Sequence, residues 1–538
     1  MFKRPLVYVG LFLAVCLASL HATQTFPDAM RALGPREWNF LVYMSNNNNL
    51  HRYGVANFRQ MVQVGSNKNV HIALQMDSLG QKEISRFYIE QNNPLLSETQ
   101  SNTTTSFSGT PANLCDFVRW GTSNYPSTKT CLVLWNHGAG IKDPSIWGRM
   151  IMRWRDDLFI LNKATGMLEL DRSMSKKEEL KSLAHERGIA FNDAAEAYLT
   201  NDDLKRSLEL VSRDCLAGRK IDVLAMDACH MAMVEIASQV KNSVSVMVAS
   251  EEVEPGTGWN YVPALAGFAN AGLTDKGLGQ HLVQSYQQEY RSTLGDYTQS
   301  AVDLSYCNAL ESNISRLADA MGDLMDAGSQ AGFRMLREIR FSRAQTIEFF
   351  DNDYIDLGQL YKALFTRARD LLSGNKLGTF GFHATQQKAV ETSWKAIGNA
   401  AIEGLGILQS MVIANAVGRN LKDAAGLSIY FPISSIHSSY RKTVFAMRTT
   451  WPRFLEKFIR MRFGKNRNEH GALIQRHDHV TKTPSTKKPC CDDCAKTGKN
   501  CQEEKADCSK TRKTTKKPRT WHGVSPHRTG RCACAPAK

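Results

Sequence analysis

The chain has 538 residues, of which 42% are hydrophobic and 22% charged, so it can form a large packed core. This composition excludes a wholly disordered chain and a multi-span membrane protein, and 37 Gly with 16 Pro exclude a collagen-like chain. The formal net charge is +15, but residues 465–538 alone hold 18 Lys and Arg against 7 Asp and Glu. The rest of the chain is nearly balanced, so its charge does not predict binding to nucleic acid.

The N-terminus has the features of a secretory signal peptide. Two basic residues precede an apolar stretch over residues 5–20, and cleavage after Ala22 or Ala18 fits the small residues there. A membrane anchor is the alternative, but the stretch is shorter than the ~20 apolar residues that a membrane span needs. We therefore expect residues 1–22 to be removed from a secreted or periplasmic protein that has no transmembrane segment.

After a linker over residues 23–35, strand-like and helix-like segments alternate. Apolar runs of strand length predict strands at residues 38–44, 70–76, 130–135, 221–226 and 244–249, and an alternating run predicts an edge strand at residues 85–90. Helices are predicted at residues 112–120, after an N-cap near residues 200–203, at residues 231–240 and at residues 276–290. This alternation predicts an α/β fold with a mostly parallel sheet and helices on both faces.

The C-terminal part of the body is predicted to be mainly helical. Beyond a short strand at residues 300–304, helices dominate residues 308–421. A further strand is predicted at residues 426–432, where a proline stops it, and an amphipathic helix at residues 451–463 closes the body. Residues 465–538 are rich in Lys, Thr and Pro and lack periodicity, which predicts a low-complexity tail.

The 13 cysteines comprise one in the signal segment, five in the body and seven in the tail. An exported protein meets an oxidising compartment, so disulfides are favoured in the tail, and the odd number leaves one thiol over. A zinc site at the CxxC of residues 491–494 is the alternative, but the later spacings match no common zinc module. The basic run at residues 512–519 predicts contact with anionic surfaces or polymers, or a solvated segment.

Two predicted strands end in residues with nucleophilic chemistry. His137 and Gly138 follow one buried strand, and Asp227 and Cys229 follow another. The carboxyl ends of parallel strands meet at one edge of a sheet, so we expect His137 and Cys229 at the same edge. There a cysteine and a histidine form a nucleophilic pair, in which the thiolate attacks and the imidazole takes its proton or stabilises its charge.

The backbone around this pair suits the same chemistry. A helix beginning at Cys229 would lower the pKa of the thiol. The N–H groups of Gly138 and Cys229 would hold an oxyanion, because a glycine lets a substrate approach the backbone. The alternative is a cysteine that fills space, as we expect for the other four cysteines of the body, beside an ordinary buried histidine. Since His137 and Cys229 both follow buried strands, we favour the catalytic interpretation.

Several motifs resemble those of one peptidase family. NHGAG at residues 136–140 and MDACHMAMVE at residues 226–235 are similar to the His and Cys motifs of the clostripain family of cysteine endopeptidases, a member of the caspase–gingipain–legumain clan. Four more stretches agree with that family, namely WNFLVYMSNNNNL at residues 38–50, YLTNDDL at residues 198–204, ASEEVEPGTGWNY at residues 249–261 and GLSIYFP at residues 426–432. The resemblance extends over residues 36–464.

The resemblance implies a caspase-like core over about residues 36–305 and a helical part, with a closing strand and helix, over about residues 306–464. It implies an exported endopeptidase that cuts after Arg, sometimes Lys, with His137 and Cys229 as a catalytic dyad. Asp227 corresponds to the family's acidic residue that helps to bind the P1 side chain, which lies on the acyl side of the scissile bond. A carboxylate can pair with Arg through two hydrogen bonds.

The sequence leaves two points about the P1 pocket open. The alternative role for Asp227 is a helix N-cap, and one residue could serve both purposes. Glu251, Glu252 and Glu254 lie near a family loop that can also line the pocket, and the sequence does not choose among them.

Members of the family often mature by cutting themselves between the His and Cys motifs. In this chain that segment is long and polar, and its basic residues include Arg153, Arg155, Lys176 and Lys177. We therefore expect self-cleavage there.

Some members of the family need Ca²⁺, and no other cofactor is implied. Asp202, Asp203 and the acidic residues of segment 351–353 are candidates, but neither stretch matches an EF-hand loop, so helix capping or solvation is favoured.

The main alternative function is that of an exported adhesion or polyanion-binding protein with an inactive protease-like domain and a binding tail. The presence of both His137 and Cys229 argues against it. The chain has no GxSxG, HExxH or P-loop motif, so serine-esterase, zincin and nucleotide-hydrolase functions have no support.

Overall fold

The computed structural model describes residues 35–463, except residues 78, 80–82, 102–107, 144–157, 173–187, 194, 196, 374–375 and 381. The predicted signal peptide and the tail lie outside the described residues. So do the basic residues considered as self-cleavage sites, Arg153, Arg155, Lys176 and Lys177. The division of the chain into signal, linker, peptidase region and tail therefore stays a prediction.

The described part of the chain contains fifteen strands, and nine of them form one large sheet. The strands are β1 (Arg36–Met44), β2 (Val70–Asp77), β3 (Glu83–Glu90), β4 (Asn93–Ser101), β5 (Ser127–Trp135), β6 (Phe159–Asn162), β7 (Met167–Leu170), β8 (Ile189–Asn192), β9 (Ala197–Leu199), β10 (Ile221–Asp227), β11 (Val244–Ala249), β12 (Thr298–Asp303), β13 (Tyr354–Asp356), β14 (Val412–Val417) and β15 (Ser428–Tyr430). The sheet order is β14-β12-β11-β10-β5-β1-β2-β3-β4, and β6 with β7, β8 with β9 and β13 with β15 form separate two-stranded ribbons.

The centre of the sheet is parallel, which confirms the predicted fold class. Strands β2, β1, β5, β10 and β11 run in one direction, and antiparallel pairs extend both edges. Central strands are buried on both faces, so their sequences are nearly continuous apolar runs; in β5, for example, every residue from Thr130 to Trp135 is buried.

Helices cover both faces of the sheet. They are α1 (His51–Val64), α2 (Pro111–Asn124), α3 (Asn201–Cys215), α4 (Val234–Val240), α5 (Tyr261–Ala266), α6 (Asp275–Tyr290), α7 (Cys307–Phe341), α8 (Leu357–Leu372), α9 (Ala384–Met411), α10 (Val444–Arg448) and α11 (Trp451–Phe463). Helices α1, α5 and α6 share an apolar core with Phe40 and Val133 on one face. On the other face, Leu41 and Leu132 pack with α2, α3, α4 and the C-terminal helices α7, α8, α9 and α11. Neighbouring residues of a strand point to opposite faces, so each central strand contributes to both cores.

The predicted start of one helix is wrong. The helix expected at residues 231–240 begins at Val234. The preceding residues pair with the end of β11 instead, since the Ala232 N–H donates to the carbonyl oxygen of Ser250 at 2.8 Å. Helices dominate the segment 308–421, as predicted, and β13 and β14 also lie within it. β14 is stabilised by pairing with β12 at the edge of the sheet, a long-range contact that local periodicity does not reveal.

Among the helices that the structure describes, none has both the length and the apolar composition of a membrane span. The five cysteines of the body are free thiols, and Cys131 and Cys307 are buried in the two apolar cores, where they fill space.

Candidate active site

Three neighbouring parallel strands end side by side at one edge of the sheet. Met44 of β1 pairs with Trp135 of β5, and Trp135 pairs with Asp227 of β10. His137 lies just beyond the end of β5, and Cys229 just beyond the end of β10. The parallel register therefore brings both loops to the same edge, as the sequence predicts.

A cleft of about 600 Å³, part of it open solvent, lies over this edge. His137, Cys229 and Asp227 line it, and so do Asn49 and Glu254. The cleft thus collects an imidazole, a thiol and two carboxyl groups from three different loops. This is the set of groups that nucleophilic catalysis with an anionic subsite requires.

Gly138 brings the His and Cys loops into direct contact. A Cβ at this position would overlap the carbonyl oxygen of Cys229 and lie 3.1 Å from the Cβ of Ala228, so the loops can pack this closely because residue 138 is glycine. Gly138 also forms an isolated antiparallel bridge with Ile189, and it is not one of the residues that line the cleft. An oxyanion role for the N–H groups of Gly138 and Cys229 stays a prediction.

The Cys229 thiol is buried, and the expected lowering of its pKa is wrong. Cys229 is 8% exposed, and its Sγ accepts a hydrogen bond from the N–H of Glu254 at 3.2 Å. Burial raises the pKa of the thiol to about 12, although the Glu254 N–H opposes this shift. The dipole of α4 does not offset the burial, because this helix begins at Val234, well beyond Cys229.

A hairpin from the segment between the two motifs covers the thiol. It consists of β6 and β7, which pair in antiparallel fashion. Leu170 of the hairpin forms an apolar cluster with Cys229, Val253 and Phe350, and Phe159 packs against this cluster. The sequence does not predict this hairpin, because its strands are short and their apolar residues do not form a buried run.

An ion-pair network anchors the hairpin. Nη2 of Arg172 lies 3.1 Å from Oε2 of Glu252 and 3.1 Å from Oδ1 of Asp296. The other oxygen of Asp296 accepts a hydrogen bond from the N–H of Leu170 at 3.1 Å. The hairpin is therefore held against the wall of the cleft by charged groups at its C-terminal end.

Backbone strain marks the residue that follows the thiol. His230 has a φ of 60°, a left-handed conformation that residues other than glycine rarely adopt. Its Nδ1 lies 2.8 Å from the carbonyl oxygen of Glu251, and its N–H donates to the carbonyl oxygen of Glu252 at 3.2 Å. These contacts hold the turn that places Cys229 at the cleft.

His137 is 6% exposed, and its Nε2 lies 2.9 Å from Oδ1 of Asn49. Its backbone N–H donates to Oδ1 of Asn136 at 2.6 Å. Asn49 follows β1, the third of the strands that end at this edge, and it is not among the site residues predicted from the sequence. Two sequence features point to it: it lies shortly after a buried strand, and it belongs to the family-like stretch at residues 38–50.

Asp227 lies in the wall of the cleft, and the alternative of a helix N-cap is excluded because α4 begins later. Its Oδ2 accepts hydrogen bonds from the hydroxyl of Tyr261 at 3.0 Å and from the N–H of Trp259 at 3.2 Å. A Cβ at Gly258 would lie 2.6 Å from Oδ1, so the backbone can pack this closely against the Asp227 carboxyl because residue 258 is glycine. Burial raises the pKa of the Asp227 carboxyl.

Glu254 is the partner of Asp227 in the cleft. The two side chains share a hydrogen bond, and burial raises the pKa of both carboxyls, that of Glu254 well above its usual range. A hydrogen bond between two carboxyls requires a proton, so the pair carries about one negative charge. Oε2 of Glu254 is buried and has no donor among the described groups.

Glu251 and Glu252 do not line the cleft. Glu251 accepts a hydrogen bond from the N–H of Gly426 at 3.1 Å, and Glu252 accepts one from the N–H of Phe350 at 2.8 Å. Of the three glutamates that the sequence left open, the structure therefore places Glu254 alone at the site.

The acidic residues considered for Ca²⁺ already have protein partners. Asp203 belongs to the capping box of α3, and Asp202 contacts Arg206 at 2.8 Å. Nζ of Lys142 contacts both carboxylates of segment 351–353, at 2.6 and 3.0 Å. In the part of the chain that the structure describes, no three His, Cys, Asp or Glu side chains are grouped as metal ligands. A Ca²⁺ requirement stays a prediction.

Solved structures similar to the chain include two bacterial proteases. A secreted C11 cysteine protease from Bacteroides thetaiotaomicron, in complex with an irreversible peptide inhibitor, is 13% identical, with 78% of this chain and 99% of that chain covered and a TM-score of 0.48. An inactive zymogen C11 protease from Parabacteroides distasonis is also 13% identical, with 78% and 98% covered and a TM-score of 0.47. No curated protein sequence matches the chain.

The family assignment comes from the sequence itself. The profile of the clostripain family matches residues 42–154 and 174–401, and this region includes both His137 and Cys229. Because the match covers more than half of the residues, the chain belongs to the clostripain family of cysteine peptidases.

Proposed function

We propose that this protein is an exported cysteine endopeptidase that hydrolyses peptide bonds after Arg or Lys. One observation carries the proposal: Cys229, His137 and the carboxyl pair of Asp227 and Glu254 line a single cleft. A nucleophile, a base and an anionic pocket are the groups that this reaction needs. Export is supported by the signal-like segment at residues 1–22.

In the proposed reaction, the sulfur of Cys229 attacks the carbonyl carbon of the scissile bond. His137 takes the thiol proton and passes it to the leaving amine as the C–N bond breaks, which leaves a thioester. Water then attacks the thioester, and the proton that it loses to His137 returns to the sulfur when the acid product leaves. The N–H groups of Gly138 and Cys229 are proposed to stabilise the oxyanions.

The carboxyl pair supports a basic P1 residue. Without a ligand, Asp227 and Glu254 share a proton, which lowers the cost of burying two carboxyls together. An entering guanidinium or ammonium group would displace that proton and face two carboxylates. Arg can contact them through parallel hydrogen bonds.

A scan of the P1 residue tests the proposal. Peptides that differ at P1 alone are incubated with the purified protein under reducing conditions, and cleavage is measured by mass spectrometry. We expect Arg and Lys peptides to be cut at least about 100-fold faster than peptides with neutral P1 residues, as expected from about 3 kcal/mol of charge pairing. A preference for acidic or apolar P1 residues would contradict the proposal, and no cleavage at all would favour the binding protein with an inactive domain.

We also propose that the protein cuts itself between the His and Cys motifs. The hairpin of β6 and β7 packs against Cys229, and burial keeps the thiol protonated. A cut on either side of the hairpin would free one of its ends, so the hairpin could leave the thiol. Self-cleavage would then be an activation step.

Self-cleavage is expected to require Cys229. Purified wild-type protein should yield fragments whose new termini follow Arg or Lys, whereas Cys229→Ala should remain intact, because no other described thiol lines the cleft. Gel electrophoresis and mass spectrometry measure both results. Adding a little wild-type protein to the variant shows whether one molecule cuts another. Wild-type protein that stays as intact as the variant would contradict the proposal.

Cutting is expected to increase the reactivity of the Cys229 thiol. Release of the hairpin exposes the sulfur to water, so its pKa should fall from about 12 towards the usual value for cysteine. A partly cut sample is treated with iodoacetamide at pH 7, and labelling of the intact and cut chains is compared by peptide mapping. The partly buried thiol of Cys215 outside the cleft serves as the reference. Equal labelling of Cys229 in both forms would show that the hairpin does not control it.

A further inference from the structure

The four asparagines that follow β1 form a loop whose start is fixed by a buried carboxylate. The N–H groups of Asn46 and Asn47 both donate to Oδ1 of Asp77, the latter at 3.1 Å. The other oxygen of Asp77 accepts from Nδ2 of Asn192 at 2.6 Å and from the hydroxyl of Ser108. Asp77 is 2% exposed, so the beginning of the loop is held by a buried and fully hydrogen-bonded group.

Asn48 ties this loop to the His motif. Its Nδ2 donates to the carbonyl oxygens of Ser45 and Phe191, at 3.2 and 3.0 Å. Nδ2 of Asn136 donates to the same two oxygens, and Oδ1 of Asn136 accepts from the N–H of His137. The two loops therefore have common anchors, and a shift of one would break hydrogen bonds of the other.

Of the four asparagines after β1, Asn49 is the one that lines the cleft. Its Oδ1 lies 2.9 Å from Nε2 of His137, and both residues line the cleft together with Cys229. An amide oxygen has no hydrogen to donate, so Nε2 must supply the one in this contact. A neutral imidazole that carries its hydrogen on Nε2 has its basic lone pair on Nδ1.

We propose that Asn49 is a positioning residue that fixes the ring orientation and the tautomer of His137, so that Nδ1 takes the proton of Cys229. This inference rests on the proposed function. A neutral amide orients the ring without the extra stabilisation of the imidazolium that a carboxylate would give. The buried hydrogen bonds of Asn46, Asn47 and Asn48 serve to place the Asn49 oxygen.

Two substitutions of Asn49 test the proposal with the self-processed enzyme and an Arg peptide. Asn49→Leu removes the acceptor, so kcat is expected to fall about 10- to 100-fold while KM changes little. Asn49→Asp keeps an acceptor and adds a charge, so kcat at high pH should be largely retained. In that variant the acidic limb of the pH profile of kcat/KM should move up by about one pH unit, because the carboxylate stabilises the imidazolium.

Asn270→Leu is the matched control, since Asn270 is exposed and lies outside the cleft, and it should retain wild-type kinetics. Asn49→Leu with unchanged kcat, or Asn49→Asp as defective as Asn49→Leu with no shift of its pH profile, would overturn the proposal. The latter result would show that the ring needs a donor at this position. If thermal unfolding shows that Asn49→Leu does not fold, the pH profile of Asn49→Asp decides alone. Inactive wild-type protein would overturn the proposed function, and this inference with it.

Discussion

Replacement of Cys229 by alanine is expected to lower kcat/KM for an Arg peptide by about 100,000-fold or more, because the variant lacks the atom that forms the thioester. His137→Ala should cost a comparable factor. The double variant should be little worse than either single variant, since a nucleophile and its base act as a unit. Steady-state kinetics with a fluorogenic Arg peptide under reducing conditions measure all three.

A different thiol provides the control for this experiment. Cys215→Ala makes the same chemical change at a partly buried thiol that does not line the cleft, so kcat/KM should stay within about twofold of wild type. Substantial activity in Cys229→Ala, with thermal unfolding like that of wild type, would show that another group is the nucleophile.

The second large effect is expected from the carboxyl pair. The double substitution Asp227→Asn and Glu254→Gln removes the charge from the pocket but keeps the shape of both side chains. Loss of a buried charge-assisted contact of about 3 kcal/mol corresponds to about a 100-fold lower kcat/KM for Arg peptides. Peptides with neutral P1 residues should lose less than about tenfold. Glu254→Gln alone should lower kcat/KM for Arg peptides less than Asp227→Asn does. Glutamine resembles a protonated carboxyl, and the raised pKa of Glu254 makes it the protonated member of the pair.

The same pair should make specificity depend on pH. If a basic P1 side chain binds the deprotonated pair, as proposed, the ratio of kcat/KM for Arg over neutral peptides should fall as the pH is lowered. Because burial raises the pKa of both carboxyls, the fall should begin above the usual range near 4. Titration of the catalytic groups changes kcat/KM for both peptides equally, so it does not change the ratio. In the double variant the ratio should not depend on pH. A flat ratio in wild-type protein between pH 5 and pH 8 would contradict a role for the pair.

Glu251 offers a matched control for the pocket. It is a buried acid in the same loop, but it faces Gly426 and does not line the cleft. Its pKa is raised by burial, so glutamine should replace its protonated form with little change. Glu251→Gln should therefore keep the wild-type preference for Arg. An equal loss of preference in Glu251→Gln and in the pocket variant would show that these acids support the loop rather than bind P1.

Much of the fold could be predicted because its central strands are buried on both faces. Such strands appear in the sequence as short apolar runs, and the helices between them show the 3.6-residue period. The placement of His137 and Cys229 at one edge then followed from parallel strand order alone. The start of α4 could not be predicted in this way. Residues such as Ala232 are apolar and suit a helix, but they bond to the end of β11 instead.

The finer parts of the site depend on contacts that the sequence does not show. Three glutamates within four residues look alike, and the positions of Gly426 and Phe350 decide that Glu251 and Glu252 face away from the cleft. The position of Asn49 beside His137 likewise depends on the neighbouring ends of β1 and β5. The thiol is buried against Leu170 of the hairpin, Val253 and Phe350, so its raised pKa could not be derived from its neighbours in the sequence.

Covalent labelling tests most directly whether one sulfur and one imidazole act on the same substrate. The purified protein, first incubated to allow the proposed self-cleavage, is treated under reducing conditions with an arginyl acyloxymethyl ketone, and the modified residue is located by peptide mapping. We expect the label on Cys229 alone, much slower labelling in His137→Ala, and protection by an Arg peptide. Absence of label, or a label on any other cysteine with Cys229 unmodified, would contradict the assignment of this cleft as the active site.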